Sequence, residues 1–568
     1  MGSSVSPKPA WEKIEDRLDG SEILSSQSSL LDWKVAPGHS RLEPSDDHPR
    51  LLRGIFQLDQ RSCDVVLDGE RLHWSPIQPL ESSFGGRRSG TRGKKTVNLC
   101  DVLSVKLHWQ SGLEYTSIRI LLGLTLFMCQ RKSSRGDRLQ ECALHLNNAS
   151  DDHCRMWHAH LRAVLDSFTN RPRSLKVIIN SQCKRAPKLF EKKVLPLFNQ
   201  ADISTDVQVT DDADHASKVL HSCRLSEYDG VVCVGGDGTA SVALQVLLCR
   251  EQGEAWTNAL DSPSAARLLL GIIPAGSNNV LATTLNGTNH ARSAALHIIL
   301  GHQRPVNVLA LTQDGRPLRV AFTATLGFGG HSLAVAEHHQ WLPAGRRKDF
   351  AVLRTITRLR PVDCEIAFLP STNSGNQSNA RTNTPQDEEQ WTVMRGSFLN
   401  VNITAGPSSC GFGTCGVASR PHDGELVLDV VHKTSRVDFM KYLKHQGSRR
   451  YQFSQNRNTC QEAKRNTGYQ NAAIIQQAFH PTVAHQLESP LVETFITRAV
   501  RVKVVKRNAV TSDGNVEESS SEQKAEWPAW WNVDGELLRD TGEIIFRVHS
   551  GLLTMYGGTT EETTSKCV

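Results

Sequence analysis

The segment Val231–Thr239, which reads Val-Val-Cys-Val-Gly-Gly-Asp-Gly-Thr, constrains the fold of this chain more than any other. Its β-branched run predicts a buried strand, and the apolar periodicity of Ala243–Leu248 predicts a helix after it. Glycines let the loop between them come close to a bound anion, and the start of a helix offers unpaired N–H groups. The pattern predicts an α/β unit with a phosphate-binding loop, with an ordinary tight turn as the alternative.

A second segment repeats this order. Leu268–Leu281 reads Leu-Leu-Leu-Gly-Ile-Ile-Pro-Ala-Gly-Ser-Asn-Asn-Val-Leu, which predicts a strand, a glycine loop and a helix. Ser277, Asn278 and Asn279 are small hydrogen-bonding residues that suit both helix capping and contact with a nucleotide. Two such loops favour a ligand site over two unrelated turns.

The two loops together resemble those of the diacylglycerol kinase-type catalytic domain, which diacylglycerol, sphingosine and ceramide kinases share. Gly235–Thr239 matches the Gly-Gly-Asp-Gly-Thr block of that family, and Pro274, Gly276, Ser277 and Asn279 match its Pro-x-Gly-[Ser/Thr]-x-Asn block. The resemblance implies an α/β plus β fold, in which a doubly wound α/β lobe precedes a β-sandwich lobe. It also implies the use of ATP and Mg²⁺.

The same resemblance implies roles for individual residues. Asp237 is expected to act as the catalytic base or to orient magnesium. The first phosphate loop of the family, Asn-Pro followed by glycines, reads Asn180-Ser-Gln-Cys-Lys-Arg here, so close backbone approach to phosphate is less easy. The nucleotide is expected to contact Asn180, Gly235, Gly236, Gly238, Thr239, Pro274, Gly276, Ser277 and Asn279.

A late segment, Asn532–Glu536, reads Asn-Val-Asp-Gly-Glu and matches the closing Asp-Gly-Glu motif of the family. The resemblance implies that Gly535 and Glu536 lie at the nucleotide, and that Asp534 and Glu536 lie near its phosphates or magnesium. The alternative is an ordinary Asp-Gly hairpin turn.

The segment from Leu326 to Phe350 resembles the ceramide kinase branch most closely. Arg347 matches a basic residue expected to contact the ATP phosphates, with a surface arginine as the alternative. His331 stands where the lipid kinases carry an aspartate that binds the hydroxyl of the lipid head group. A histidine can hydrogen-bond a hydroxyl, but near pH 7 it offers no dependable negative charge.

The chain is long enough for several domains, and its first part is polar. Residues 1–45 are expected to be disordered, and 46–168 read as short strands closed by a helix, Asp151–Leu165, with Asp151 and Asp152 as caps. This layout resembles a pleckstrin-homology (PH) domain that binds lipid. The basic loop Arg87–Lys95 suits anionic membrane lipids, with a solvated loop or a nuclear-import signal as alternatives.

From Ser174 the pattern changes to alternating strands and helices, which is typical of a parallel sheet. We expect the diacylglycerol kinase-type α/β lobe to span 173–304 and a strand-rich lobe to span 305–555. Three polar segments in the second lobe are expected to be disordered insertions: 371–390, 454–470 and 511–524.

The composition indicates the cellular compartment in which the chain is expected. The fourteen cysteines form no Cys-x-x-Cys pair, and no signal-peptide pattern is present, so a reducing, cytoplasmic setting is expected. Peripheral association with internal membranes is expected too, with a nuclear location as an alternative.

Gly2 and Ser6 fit an N-myristoylation pattern, although an unmodified tail fits equally. No nucleic-acid-binding motif accompanies the net charge of +6, so no specific nucleic-acid partner is expected.

Two functions remain open from the sequence. The first is an ATP-dependent lipid kinase that acts on the hydroxyl of a sphingolipid-like lipid. The second is a catalytically impaired pseudokinase that binds lipid or nucleotide and acts as a membrane-associated regulator or scaffold. The altered first loop and His331 favour the second for ceramide itself, whereas the intact loop around Asp237 keeps the first open.

Overall fold

The computed structural model describes eleven parts of the chain: 51–77, 95–110, 120–133, 136–252, 265–276, 279–371, 390–405, 424–447, 491–505, 529–539 and 542–558. The predicted tail 1–45, with Gly2, lies outside them. So do the predicted insertions 454–470 and 511–524, and all but the end residues of 371–390. No helix within the described parts is long and apolar enough to span a membrane.

The N-terminal part is an antiparallel sheet closed by one helix, as the PH-like layout predicts. The sheet order is β4-β3-β2-β1-β7-β6-β5. Trp157 of the helix is fully buried, and its ring meets Phe56 of the first strand edge-on at 5.2 Å. The elements are β1 Leu52–Leu58, β2 Arg61–Asp68, β3 Arg71–Pro76, β4 Lys95–Asn98, a 3-10 turn Leu99–Asp101, β5 Val102–Gln110, β6 Ile120–Ser133, β7 Gly136–Asn147 and α1 Asp151–Ser167.

The cap of α1 corrects the sequence prediction by one residue. The Oγ of Ser150 accepts the N–H of His153 at 3.3 Å, so Ser150 is the N-cap. Asp151 and Asp152 occupy the first turn instead, where their charges face the positive end of the helix dipole.

The middle part is an α/β unit whose parallel strands lie in the order β9-β8-β10-β11. The predicted strands and helices of this part are all present. The elements are β8 Ser174–Asn180, a helical stretch of α2 Ala186–Leu189, a π-helical segment Phe190–Val194 and α3 Leu195–Gln200, β9 Ser204–Thr210, α4 Ala213–Ser222, a 3-10 turn Leu225–Glu227, β10 Gly230–Gly235, α5 Asp237–Gln252, β11 Leu269–Pro274, α6 Val280–Asn286 and α7 Ala291–Ile299.

The C-terminal part is rich in strands, and its last strand joins it to the α/β unit. That strand, β21, pairs in parallel with β11 at Leu270 and Met555 and antiparallel with β12 and β18. The elements are β12 Gln303–Gln313, β13 Arg316–Ala321, β14 Thr323–Gly327, α8 Phe328–His338, α9 Ala344–Thr357, β15 Val362–Pro370, β16 Thr392–Thr404, β17 Leu426–His432, α10 Arg436–Gly447, β18 Val492–Val504, β19 Trp530–Val533, β20 Glu536–Arg539 and β21 Glu543–Tyr556.

The PH-like sheet and the α/β lobe share a hydrophobic core. Leu103 and Cys129 of the sheet belong to the same buried cluster as Phe198 of α3 and Ile299 of α7. Polar contacts flank this core, including the ion pair between Arg292 and Glu141 and the pairs that Lys106 and Arg162 make with Asp202. The two domains are therefore joined by packing as well as by the chain.

Arg171, in the linker between the two domains, adds three hydrogen bonds to this junction. Its guanidinium lies 4.6 Å from the ring of Phe168 and donates to three backbone carbonyls of the PH-like domain. Burial lowers the pKa of Arg171 to about 10, and the nearby Cys100 and Asp101 oppose this fall, so the guanidinium stays charged near pH 7. These acceptors are the oxygens of Leu99 at 3.1 Å, Cys100 at 2.9 Å and Val102 at 2.7 Å.

Replacing this arginine should loosen the domain junction. Arg171→Met keeps the apolar stem but leaves three carbonyls without a donor, so we expect the melting temperature to fall by roughly 5 °C. Arg224→Met removes an exposed arginine that pairs with Glu227, three residues along the chain, and it should change the melting temperature little. Equal melting temperatures for the two variants, measured by circular dichroism, would contradict this account of the junction.

Candidate functional site

A cleft of about 860 Å³ lies between the α/β lobe and the strand-rich lobe. The ends of parallel strands form one side of it, which is where sheets of this kind bind ligands. Strands β14, β16 and β19 and helix α8 form the other side. Its walls include Asn180, Gly236, Asp237, Gly238, Thr239, Gly276, Arg304, Thr325, Glu337, Arg347, Asn402, Asn532, Asp534, Gly535 and Glu536.

The first glycine loop is held by Thr239 in the first turn of α5. The Oγ1 of Thr239 accepts the side-chain N–H of Asn180, at the end of β8, at 3.0 Å. A Cβ on Gly235 would lie 2.4 Å from that same oxygen, so a larger residue would push the threonine away. Glycine at 235 therefore supports the loop from behind rather than lining the cleft.

The second glycine loop packs directly against the first. The carbonyl of Gly235 accepts the N–H groups of Ala275 and Gly276 at 2.8 and 3.0 Å. A Cβ on Gly276 would lie 2.5 Å from the Cα of Gly236, so the two backbones touch. This close approach explains why both loops carry glycine at the contact.

Asn279 closes the second loop from within. It adopts a left-handed conformation with φ of 53°, which asparagine tolerates better than most residues. Its side chain accepts the N–H of Gly276 at 2.8 Å and donates to the carbonyl of the same residue at 2.9 Å. Asn279 is buried and, like Gly235 and Pro274, is not among the described residues that line the cleft.

Asp237 connects the two loops through its carboxylate. It is the first residue of α5, and its two oxygens accept the N–H groups of Val280 at 3.0 Å and Leu281 at 2.9 Å. These are the first two residues of α6, so the carboxylate satisfies donors that the helix cannot pair itself. Burial raises the pKa of Asp237, and the two N–H groups oppose that rise.

Asp534 occupies the tip of the hairpin between β19 and β20, with φ of 50°. It is 4 % exposed and accepts four hydrogen bonds from the lobe interface. Burial raises its pKa to about 6, against the opposing effect of these donors and of Arg319. The donors are the N–H of Phe322 at 2.9 Å, the N–H of Thr323 at 2.8 Å, the Oγ1 of Thr323 at 3.1 Å and the Oγ of Ser241 at 2.8 Å.

The other predicted metal ligand, Glu536, is also engaged. Its carboxylate accepts a hydrogen bond from Arg319 at 2.7 Å, and Arg319 reaches the Oγ of Ser241 at 3.4 Å. Within the described residues, no group of three or more His, Cys, Asp or Glu side chains is placed to hold a metal. Asp534 accepts two hydrogen bonds at each carboxyl oxygen and Glu536 accepts one at its Oε2, and their contact with magnesium stays a prediction.

Helices α8 and α9 supply charged groups to the cleft. Arg347 donates to the carbonyls of Leu342 at 3.1 Å and Gln340 at 3.1 Å, which fixes its guanidinium at the cleft wall. Burial raises the pKa of Glu337, and the nearby carboxylate of Glu536 raises it further. The expected contact of Arg347 with phosphate stays a prediction.

The remaining predicted site residues lie elsewhere. His331 is half-buried on α8, whose cleft-facing residues in the described structure are Leu333, Ala336 and Glu337, so its contact with a lipid stays a prediction. Ser277 and Gly2 lie outside the described residues.

The sequence analysis missed Thr325 and Asn402, which line the cleft from the strand-rich lobe. A signal was present in β16, where Asn400, Asn402 and Thr404 alternate with apolar residues and are nevertheless buried. Buried polar side chains at every second position of a strand need hydrogen-bond partners, and here residues of neighbouring strands supply them.

Three family models match the chain. The ceramide kinase PH domain matches residues 52–161, and the diacylglycerol kinase catalytic domain matches residues 174–311. The ceramide kinase C-terminal domain matches residues 322–467 and 455–568. These matches confirm the predicted fold class.

Relatives align over most of the chain. Human ceramide kinase-like protein is 36% identical over 547 residues, which cover 90% of this chain and 91% of that protein. Mouse ceramide kinase is 28% identical over 557 residues, covering 90% of this chain and 98% of that protein. A crystal structure of a diacylglycerol kinase from Bacillus anthracis covers 68% of this chain and 97% of that one, at 15% identity and a TM-score of 0.39.

The domains and the cleft together define a protein of the lipid kinase class with a PH domain. The chain belongs to the ceramide kinase-like family, as the sequence motifs predicted. Its catalytic domain implies the use of ATP.

The raised pKa of Asp534 predicts a pH dependence of stability. An acid with a higher pKa in the folded chain binds its proton more tightly there than in the unfolded chain. Its contribution to the free energy of unfolding therefore falls as the pH rises from about 4 to about 6. In Asp534→Asn this part of the fall should be absent.

Urea midpoints at pH 4.5, 5.5 and 7 would measure the effect. Asp314→Asn, in an exposed turn, controls for the loss of one carboxylate. If the Asp534→Asn variant shows the same fall as the wild type, the buried carboxylate does not titrate in this range.

Proposed function

We propose that the chain binds ATP and a sphingolipid-like lipid in the cleft and transfers the γ-phosphate to a lipid hydroxyl. The observation that carries the proposal is the contact between the two glycine loops at the cleft wall. The carbonyl of Gly235 binds Ala275 and Gly276, so two loops of the type that approach phosphate border one cavity. The strand-rich lobe gives the same cavity a second wall for the acceptor.

Phosphoryl transfer depends mainly on positioning and on charge stabilisation. The backbone of Gly236, Asp237 and Gly238, where α5 begins, offers N–H groups to phosphate, and Arg347 adds a positive charge on the opposite side. Asp237 accepts the proton of the lipid hydroxyl, whose oxygen forms a bond to the γ-phosphorus as the bond to the ADP oxygen breaks. Each of its carboxylate oxygens keeps a lone pair beyond the one that binds α6, and its raised pKa makes it a stronger base.

A second candidate is a pseudokinase that binds nucleotide or lipid without transfer. It is favoured by the first phosphate loop, where the Oδ1 of Asn180 accepts the N–H of Gln182 at 3.0 Å and no glycine follows. The four protein donors that already occupy the Asp534 carboxylate support it further.

The same proposal includes association of the chain with membranes. The PH-like domain would bind anionic lipids and hold the chain at internal membranes from the cytoplasmic side. Most of the basic loop 87–95 lies outside the described residues. Recovery of the full chain only in the cytosolic fraction of cells would remove this part of the proposal.

Binding of ATP should depend on Asp237. ATP that binds only the folded chain raises the melting temperature by mass action, by an amount equivalent to about 2.7 kcal/mol at one hundred times the dissociation constant. In Asp237→Asn the new NH₂ group faces an N–H of α6, so the loops should separate and the shift should fall by at least half. Asp438→Asn, in the first turn of α10, should keep the full shift.

Labelled ATP with a mixed lipid extract, with and without magnesium, then separates the two candidates. Label in the lipid fraction supports the kinase, and ATP-dependent stabilisation without label supports the pseudokinase. If ATP stabilises neither the wild type nor Asp438→Asn, nucleotide binding is contradicted for both proposed functions.

A further inference from the structure

A second, smaller pocket lies at the junction between the PH-like domain and the α/β lobe. Its volume of about 220 Å³ is below the roughly 300 Å³ of pockets that enclose drug-sized ligands, so this junction pocket suits a small anion or group. No described residue lines both the junction pocket and the cleft. Strand β5, helix α1 and the linker form one side, and the turn before β9 and the end of α7 form the other. Its charged lining residues are Arg162, Asp166, Arg171, Arg173 and Asp202.

A carboxylate of the α/β lobe pairs with two cations of the PH-like domain at this pocket. The Oδ1 of Asp202 pairs with the Nζ of Lys106 on β5, and its Oδ2 accepts the Nη1 of Arg162 on α1 at 2.8 Å. Burial acts to raise the pKa of Asp202, but these two partners outweigh burial and hold the pKa below its ordinary value. Asp202 therefore occupies the PH-like domain much as a bound anion would.

The same strand brings an unused hydroxyl to the pocket. Ser104 lies two residues before Lys106 on β5, and Val105 between them is buried in the core of the PH-like domain. Since alternate residues of a strand share a face, Ser104 faces the same side as the ammonium that reaches Asp202. The Ser104 side chain is 5 % exposed, and its Oγ finds no hydrogen-bond partner among the described residues. A ligand with one more acceptor than a carboxylate would satisfy this hydroxyl.

We propose that the junction pocket binds a phosphate-bearing anion in competition with Asp202. A phosphate monoester has three free oxygens and roughly two negative charges near pH 7. Two of its oxygens can accept from Lys106 and Arg162, as the carboxylate does, and the third can accept the hydroxyl of Ser104. Arg173, which lines the same pocket, adds a further positive charge.

Binding of the anion changes the junction. It releases the Asp202 carboxylate and so removes one link between the turn before β9 and the PH-like domain, while the shared hydrophobic core stays in place. The inference goes beyond the proposed function, because it requires neither ATP nor phosphate transfer. The pocket is also separate in sequence from the basic loop 87–95, to which the sequence analysis assigned membrane lipids.

The first test removes the competing carboxylate from the full chain. Asp202→Asn keeps the size of the side chain and suits the left-handed backbone, whose φ is 57°. Because Lys106 and Arg162 lose their internal partner, we expect inorganic phosphate to bind about tenfold more tightly. Asp314→Asn is the matched control, since Asp314 also has a left-handed φ, 50°, and is exposed; its phosphate affinity should equal that of the wild type.

The second test removes the hydroxyl. Without phosphate, Ser104→Ala should be at least as stable as the wild type, because the hydroxyl has no partner to lose. With phosphate, its affinity should fall about fivefold, as expected for one hydrogen bond. Affinities come from the rise of the melting temperature with phosphate at constant ionic strength. The general stabilisation by phosphate salts is common to all variants and cancels in the comparison.

Hydrogen exchange locates the bound anion. Peptides that contain residues 199–203 should exchange faster when phosphate is added to the wild type, because Asp202 loses its partners, and should not respond in Asp202→Asn. Phosphate bound at the glycine loops of the cleft would leave these peptides unchanged and would give all variants one affinity. ATP-dependent stabilisation is measured separately, so failure of this inference is distinguishable from loss of the nucleotide site.

The source of the phosphate is resolved with phosphatidylcholine vesicles that contain or lack phosphatidic acid. Stronger flotation of Asp202→Asn than of the wild type on the phosphatidic acid vesicles identifies a phosphate carried by a lipid. A response to inorganic phosphate alone identifies a free anion, and both results support the pocket. Equal phosphate affinity in the wild type, Asp202→Asn and Ser104→Ala would overturn the inference. Should Asp202→Asn fail to fold, the Ser104→Ala comparison decides alone.

Discussion

The hydrogen bonds from the Asp237 carboxylate to the N–H groups of Val280 and Leu281 hold the site together. They tie the start of α5 to the start of α6 and thereby press the two glycine loops into contact. The contact between Gly236 and Gly276 is closer than any side chain would allow, so it needs both the glycines and the carboxylate. Without this bridge, the loops would keep the hydrogen bonds of Ala275 and Gly276 to the Gly235 carbonyl but would lose the link between the starts of α5 and α6.

Asp534 plays a comparable part at the lobe interface. It gathers donors from α5 and from the start of β14, so the closing Asp-Gly-Glu hairpin is fixed to both lobes. Two motif carboxylates that the family resemblance assigns to chemistry thus have structural duties in this chain. A kinase would have to transfer phosphate while Asp237 and Asp534 keep these structural hydrogen bonds. A pseudokinase would need the hydrogen bonds alone.

The order of strands and helices was predictable from the sequence because it depends on short-range residue patterns. Strand-glycine-helix patterns are short-range, so the elements around Val231–Thr239 and Leu268–Leu281 were predictable from the residues themselves. The partners of Asp237 and Asp534 were not, since they lie 43 to 44 and 211 to 293 positions away in the chain. The hydrogen bond between Asn402 and Asp429, on neighbouring strands of the C-terminal lobe, was missed for the same reason, because cross-strand register is set by the whole sheet.

Hydrogen exchange measured by mass spectrometry tests the central claim, that Asp237 holds the two loops together, without any need for activity. Peptides that contain Val280–Asn286 should exchange faster in Asp237→Asn than in the wild type, because the first turn of α6 loses its acceptor. The same peptides should exchange at the wild-type rate in Asp438→Asn. Unchanged exchange in Asp237→Asn would contradict the bridge and, with it, this account of how the cleft is built.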